Sequence, residues 1–195
     1  MSNEQADLGE MKDLTSTSFG YVIAFLLPGL FGLYALGYWS SAIKSLLQPV
    51  LKADANVGPS VIVLLVALGV GLFISAVRFF LFEKLLCQKH CFPGNMFAKL
   101  TAENKLPAFK AVVDEHYRYH QFYGGVFVAL AIMFVGWVWY GHPGPNLRSI
   151  ATVLGFALFE TVLGLTASDA FKRYVERGTT IVNSEGLAAH AAARR

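Results

Sequence analysis

Four side chains with metal-ligating chemistry fall into two pairs. Cys87 and Cys91 lie in the stretch CQKHCFPGN, and His116 and His120 lie in DEHYRYHQF. Residues four apart share one face of a helix, so each pair could present two ligands from one helix. Together they would form a tetrahedral Cys2His2 set, and thiolate with imidazole suits zinc. The set matches no standard finger, however. Cytosolic cysteines also stay reduced and pack as small hydrophobes, and histidines at the headgroup level of a membrane need no ligand. The preferred reading therefore carries no cofactor, with a zinc-binding membrane protein as an alternative.

A second candidate is Glu160, which stands in an otherwise uncharged run beginning near Ser149. At about 1.5 Å rise per residue it would lie roughly 17 Å deep, near the middle of a bilayer. An ionised carboxylate there costs at least about 2.5–3.5 kcal/mol. It should face other helices, be protonated, or both. Pro28-Gly29 sits at a similar depth in the first apolar run. Proline has no N–H and its ring clashes with the carbonyl four residues back, so the Ala24 carbonyl would lose its helical donor. Glu160, Pro28 and Gly29 are thus expected to form one intramembrane polar site. Arg78 and Asp169 come at matching depths near the other ends of their runs, and an ion pair between them is expected.

Few chemistries are otherwise open. The sequence has no HExxH, GxSxG, P-loop or Rossmann GxGxxG pattern. Its five histidines are too few for a membrane hydroxylase, and no spaced aspartate cluster suggests a phosphatidyltransferase. Asp114, Glu115 and His116 are read as a solvated helix turn. A net charge of +3 builds no case for nucleic acid. An enzyme is therefore not expected.

The elements that would carry these residues are membrane helices. The chain has 195 residues, 55% of them hydrophobic and 15% charged, against roughly 25% charged in soluble domains. Four nearly charge-free windows stand out at 19–39, 59–82, 121–140 and 149–170. Each approaches the roughly 20 residues that cross about 30 Å of hydrocarbon. Helices are expected because they satisfy their own backbone where water is absent. The fold class predicted is an all-α integral membrane protein with four transmembrane helices and a cytoplasmic amphipathic helix between the second and third.

Orientation follows from lysine and arginine. Segments 1–18, 83–120 and 171–195 hold twelve of them, and the two remaining connections hold three. By the positive-inside rule both termini and the 83–120 segment face the cytoplasm, in a bacterial inner membrane. Trp39, Trp137, Trp139 and Tyr140 then gather at the outer interface, where amphipathic rings settle. The first eighteen residues lack the basic start of a secretory signal.

Within 83–120, Pro107 suits a helix start. From there Phe109, Val112, Val113, His116 and His120 fall on one face, expected to lie on the membrane surface or under the bundle, with Gly124-Gly125 as the expected bend into the third span. Phe97, Leu100, Phe109, Val112 and Val113 are expected to contact the lipid surface or a cytoplasmic protein, with Lys99, Lys105 and Lys110 beside anionic headgroups. The organisation predicted is an N-terminal segment 1–18, a four-helix domain 19–177 and a mobile tail 178–195. These readings describe a non-enzymatic, membrane-embedded interaction or effector subunit. It would be oligomeric and could be membrane-perturbing in the manner of a defence or toxin protein. The alternative is a small channel or transporter that uses Glu160 at the Pro28-Gly29 kink.

Overall fold

The computed structural model describes residue 20 and residues 22–52, 57–86, 92, 96–102, 105–141, 144 and 146–192. These residues form six helices and no strand. Helix α1 opens with a π-helical turn, Val22–Leu26, and continues as α-helix over Leu27–Leu36. Helix α2 is Ser41–Leu51. Helix α3 runs over Val57–Arg78 and ends in a π-helical stretch, Phe79–Leu86. Helix α4 is the short Met96–Ala102. Helix α5 is continuous over Leu106–Gly141, with a π-helical turn at Val113–Tyr117. Helix α6 is Leu147–Ala192.

Three of these helices are long and apolar enough to cross a membrane: Val57–Lys84, Leu106–Gly141 and Leu147–Asn183. The first expected span appears as a shorter apolar helix, Ala24–Leu36. It stops because the chain turns through Gly37, whose N–H donates back to the Leu33 and Tyr34 carbonyls at 3.2 and 3.1 Å. Ser40 then caps α2 by accepting a hydrogen bond from the Ile43 N–H at 3.4 Å. Helix α2 was not foreseen. It lays Ile43, Leu46, Leu47 and Val50 against Leu33, Val63 and Ala67.

Helix α5 is the hub of the bundle and touches α1, α3 and α6. Its glycines permit this. A side chain on Gly125 would meet Pro28 at 3.0 Å, and one on Gly136 would meet Trp39 at 2.8 Å. Pro28 to Trp39 and Gly125 to Gly136 are equal steps in the same direction, so α1 and α5 lie parallel. Helix α6 returns antiparallel, with Gly164 beside Phe127 and Phe156 stacked on Phe134 at 4.2 Å. The expected bend at Gly124-Gly125 is therefore a packing surface instead. Helix α5 changes register earlier, at the π turn.

Pro28-Gly29 has a packing role as well. A Cβ on Gly29 would strike the Ala67 carbonyl oxygen, and one on Gly71 the Phe25 carbonyl oxygen. Helices α1 and α3 thus cross backbone to backbone, which only small residues allow. The π register just before Pro28 pairs carbonyls with N–H groups five residues on. This is one of the adjustments that re-satisfies carbonyls released by proline.

The 83–120 segment is not an amphipathic helix lying free on a surface. Helix α4 and the start of α5 fold against the far half of α6 to make a small helical head. Met96, Leu100, Phe109 and Val182 form its core, with Phe92, Val113, Tyr174 and Ile181 around them. Leu100, Phe109 and Val112, expected as a contact face, are buried within the chain itself. They face inward because α6 supplies an apolar partner that the local sequence cannot reveal. The same partner shifts the expected tail. Helix α6 passes through Gly178, which is buried because a side chain there would meet Phe92 at 2.7 Å and Phe109 at 3.1 Å.

On the bundle, Val61, Leu65, Leu72 and Phe73 of α3 and Leu154, Leu158, Val162 and Leu165 of α6 are exposed. A belt of this size has the chemistry of a lipid-facing surface.

The α1–α3 crossing makes a direct prediction. Gly71→Ala should destabilise the folded protein by about 2 kcal/mol or more, because the methyl group meets rigid backbone. Gly69→Ala, whose Cβ would meet nothing within 4 Å, should leave stability unchanged or raise it by up to about 1 kcal/mol. Denaturant unfolding in detergent, followed by tryptophan fluorescence, separates the two.

Candidate functional site: a buried polar cluster where the bundle meets the head

The site begins with Arg78, which ends the regular part of α3 and is only 2% exposed. Its Nη1 donates to Glu83 Oε1 at 2.9 Å. The two are five residues apart. In an α-helix five residues turn about 140° past a full circle, which would hold them on different faces. The π-helical stretch Phe79–Leu86 closes one residue later per turn and brings Glu83 back under Arg78.

Other helices complete the cluster. From α5, the Tyr117 hydroxyl donates to the same Glu83 oxygen at 3.2 Å. The Arg78 guanidinium carbon lies 5.9 Å from the Tyr117 ring centre, within cation–π range. His120, one turn further along α5, is fully buried. Its Nδ1 lies 2.8 Å from the Ala167 carbonyl oxygen of α6. A carbonyl only accepts, so Nδ1 carries the hydrogen. The Nε2 atom faces Glu83 Oε1 at 3.6 Å, too long for a hydrogen bond and close enough for electrostatic contact. Gly124 makes room for this arrangement, because a side chain there would meet the Arg78 stem at 2.8 Å. One carboxylate thus gathers groups from α3 and α5, and one imidazole ties them to α6.

The expected Arg78–Asp169 pair is replaced. Asp169 is exposed and accepts from Arg173 Nε at 2.8 Å, one turn along its own helix. Arg78 is held by Glu83, which needs no second helix and is itself partly buried, its side chain 15% exposed. The sequence reading missed Glu83 and Tyr117, since both reach the cluster through π-helical turns. The weak signal was an acid, Glu83, just past the buried Arg78.

The metal-ligating residues are not assembled among the described residues. Cys87 and Cys91 lie outside them. His120 Nδ1 is committed to the Ala167 carbonyl, whereas His116 Nε2 sits 3.9 Å from Glu115 Oε2. No group of three His, Cys, Asp or Glu side chains among the described residues could hold a metal ion.

Glu160 is buried on the face of α6 that carries Phe156 and Gly164, one turn to either side. It therefore faces α5 between Phe134 and Phe127. Neither carboxyl oxygen has a hydrogen-bond partner. The expected bond to the Pro28 region is not formed, because Pro28 is packed on Gly125 and Gly29 on Ala67. The structure separates what matched depth seemed to join.

No known protein family, curated protein or solved structure matches the chain.

The cluster predicts an asymmetric mutational response. Arg78→Met leaves the partly buried Glu83 without its cation and should cost about 2–3 kcal/mol, less than for a fully buried pair. Adding Glu83→Leu should recover most of that loss. Asp169→Asn should change stability little, since its pair with Arg173 is solvent-exposed. Unfolding of the three variants in detergent checks the order.

Proposed function

We propose that this chain is a non-enzymatic, membrane-embedded interaction or effector subunit that works as an oligomer or with a cytoplasmic protein partner. It has four spans, with both termini and the head on the cytoplasmic side of a bacterial inner membrane. The fourth span is α1. It is short, and its parallel packing on α5, from Pro28 beside Gly125 to Trp39 beside Gly136, supports this reading. The orientation rests on the lysines and arginines gathered at the head end.

The observation that carries the reading is the continuity between bundle and head. Helix α6 is 46 residues long, roughly 70 Å at about 1.5 Å per residue. It runs from the lipid-facing belt into the head core, and the Arg78–Glu83–Tyr117–His120 cluster fastens α3 and α5 to it at the boundary. A partner bound to the head thereby bears on the membrane helices through rigid elements. The core apolar residues of the head are used internally, so the partner meets mainly polar and cationic groups such as Lys99, Lys110 and Lys172, all exposed.

Charge reversal at Lys110 and Lys172 should abolish cross-linking of the head to its partner or to a second copy in intact cells while leaving expression unchanged. Unaltered cross-linking would reject the cationic contact surface. Arrest or depolarisation of the host on induction would identify the membrane-perturbing form of the effector.

A second reading is favoured by Glu160, whose two oxygens are buried without a partner. In that reading the chain is a small channel or transporter with Glu160 in the ion path, since intramembrane acids mark such paths. Proteoliposomes decide between them. Proton or cation flux that Glu160→Gln reduces at least tenfold supports transport, and liposomes as tight as empty ones support the interaction subunit.

A further inference from the structure

At the end of the bundle opposite the head, α1, α2 and α5 border an open cleft of about 570 Å³. That volume lies in the range of small-molecule sites. Its lining changes character from one side to the other. Ser41, Lys44 and Gln48 stand at successive turns on one face of α2 and supply a polar edge. Leu47 and Leu51 of the same helix supply an apolar edge, and Tyr34, Tyr38 and Tyr140 close the remaining sides. No acidic residue among the described residues lines the cleft. Lys44 makes no ion pair among the described residues.

An exposed ammonium beside hydroxyl and amide donors recognises an anion. The leucine edge of the same cleft recognises hydrocarbon. Tyrosines whose rings are apolar and whose hydroxyls are wet favour the membrane–water boundary, and Trp39 packs edge-on against Tyr140 at 5.3 Å beside them. The occupant that carries both chemistries at that level is a membrane phospholipid. We propose that this cleft is a phospholipid site, in which Lys44, with Ser41 and Gln48, holds the phosphodiester and the upper acyl carbons lie along Leu47 and Leu51.

The site would anchor α2 at the interface and tie the ends of α1 and α5 to a lipid. It depends on phosphate and not on the rest of the headgroup, so phosphatidylglycerol and phosphatidylethanolamine should both enter.

The test is native mass spectrometry of delipidated protein titrated with each lipid and, separately, with glycerol 3-phosphate. One phospholipid should bind per chain. Lys44→Gln should weaken binding about tenfold, the scale of one charge-assisted hydrogen bond. Ser41→Phe, which fills the cleft, should displace the lipid with Lys44 still present. Lys52→Gln, a neighbouring interfacial cation outside the cleft, should have no effect. Equal losses in Lys44→Gln and Lys52→Gln would overturn the proposal, because lipid would then be held by general interfacial charge. Binding of glycerol 3-phosphate as tight as that of the lipids would overturn it too, as would full lipid binding by Ser41→Phe.

Discussion

A guanidinium removed from water needs a carboxylate within reach, and the way Arg78 obtains one shapes the junction of bundle and head. An isolated buried charge is far more costly than a paired one. Arg78 is 2% exposed and its partner Glu83 is on the same helix. That pairing requires α3 to widen into a π-helix over Phe79–Leu86. It also requires α5 to present glycine at 124, where any side chain would meet the arginine stem. Tyr117 and His120 then use the remaining capacity around Glu83, and His120 carries the connection to the Ala167 carbonyl. Three helices are thereby fixed in register by one ion pair and the groups that solvate it in place of water.

The rest of the bundle is held differently. In lipid there is little hydrophobic gain in bringing apolar helices together, so close packing does more of the work. The crossing at Gly29 and Gly71 and the contacts of Gly125 and Gly136 are of this kind. The head returns to ordinary burial, with Met96, Leu100, Phe109 and Val182 removed from solvent. The polar cluster sits where one regime gives way to the other, which suits a chain that links a head to a bundle.

Glu160 stands apart from this scheme. The Glu83 carboxylate accepts hydrogen bonds from Arg78 and Tyr117, whereas Glu160 lies in the α5–α6 seam with no hydrogen-bond partner. This contrast is why the interaction reading and the transport reading rest on different residues and can be separated experimentally.

Much was legible in the sequence. Low charge and long apolar runs, set by what hydrocarbon tolerates, determined the helical class and marked four apolar runs, three of which are helices of membrane-crossing length, and singled out Arg78 and Glu160 as polar residues needing a reason. The partners were not legible. Arg78 pairs through a π turn that no α-helical periodicity anticipates, and Asp169, at the right depth, points to solvent. The apolar stripe Phe109, Val112 and Val113 was correctly apolar, but its cover, α6, comes from the other end of the chain. The sequence by itself determined which segments leave water, because transfer free energy is a sum over local residues. Only the tertiary structure decided which polar groups meet, because helix register and close glycine contacts depend on the facing helix as much as on the residue itself.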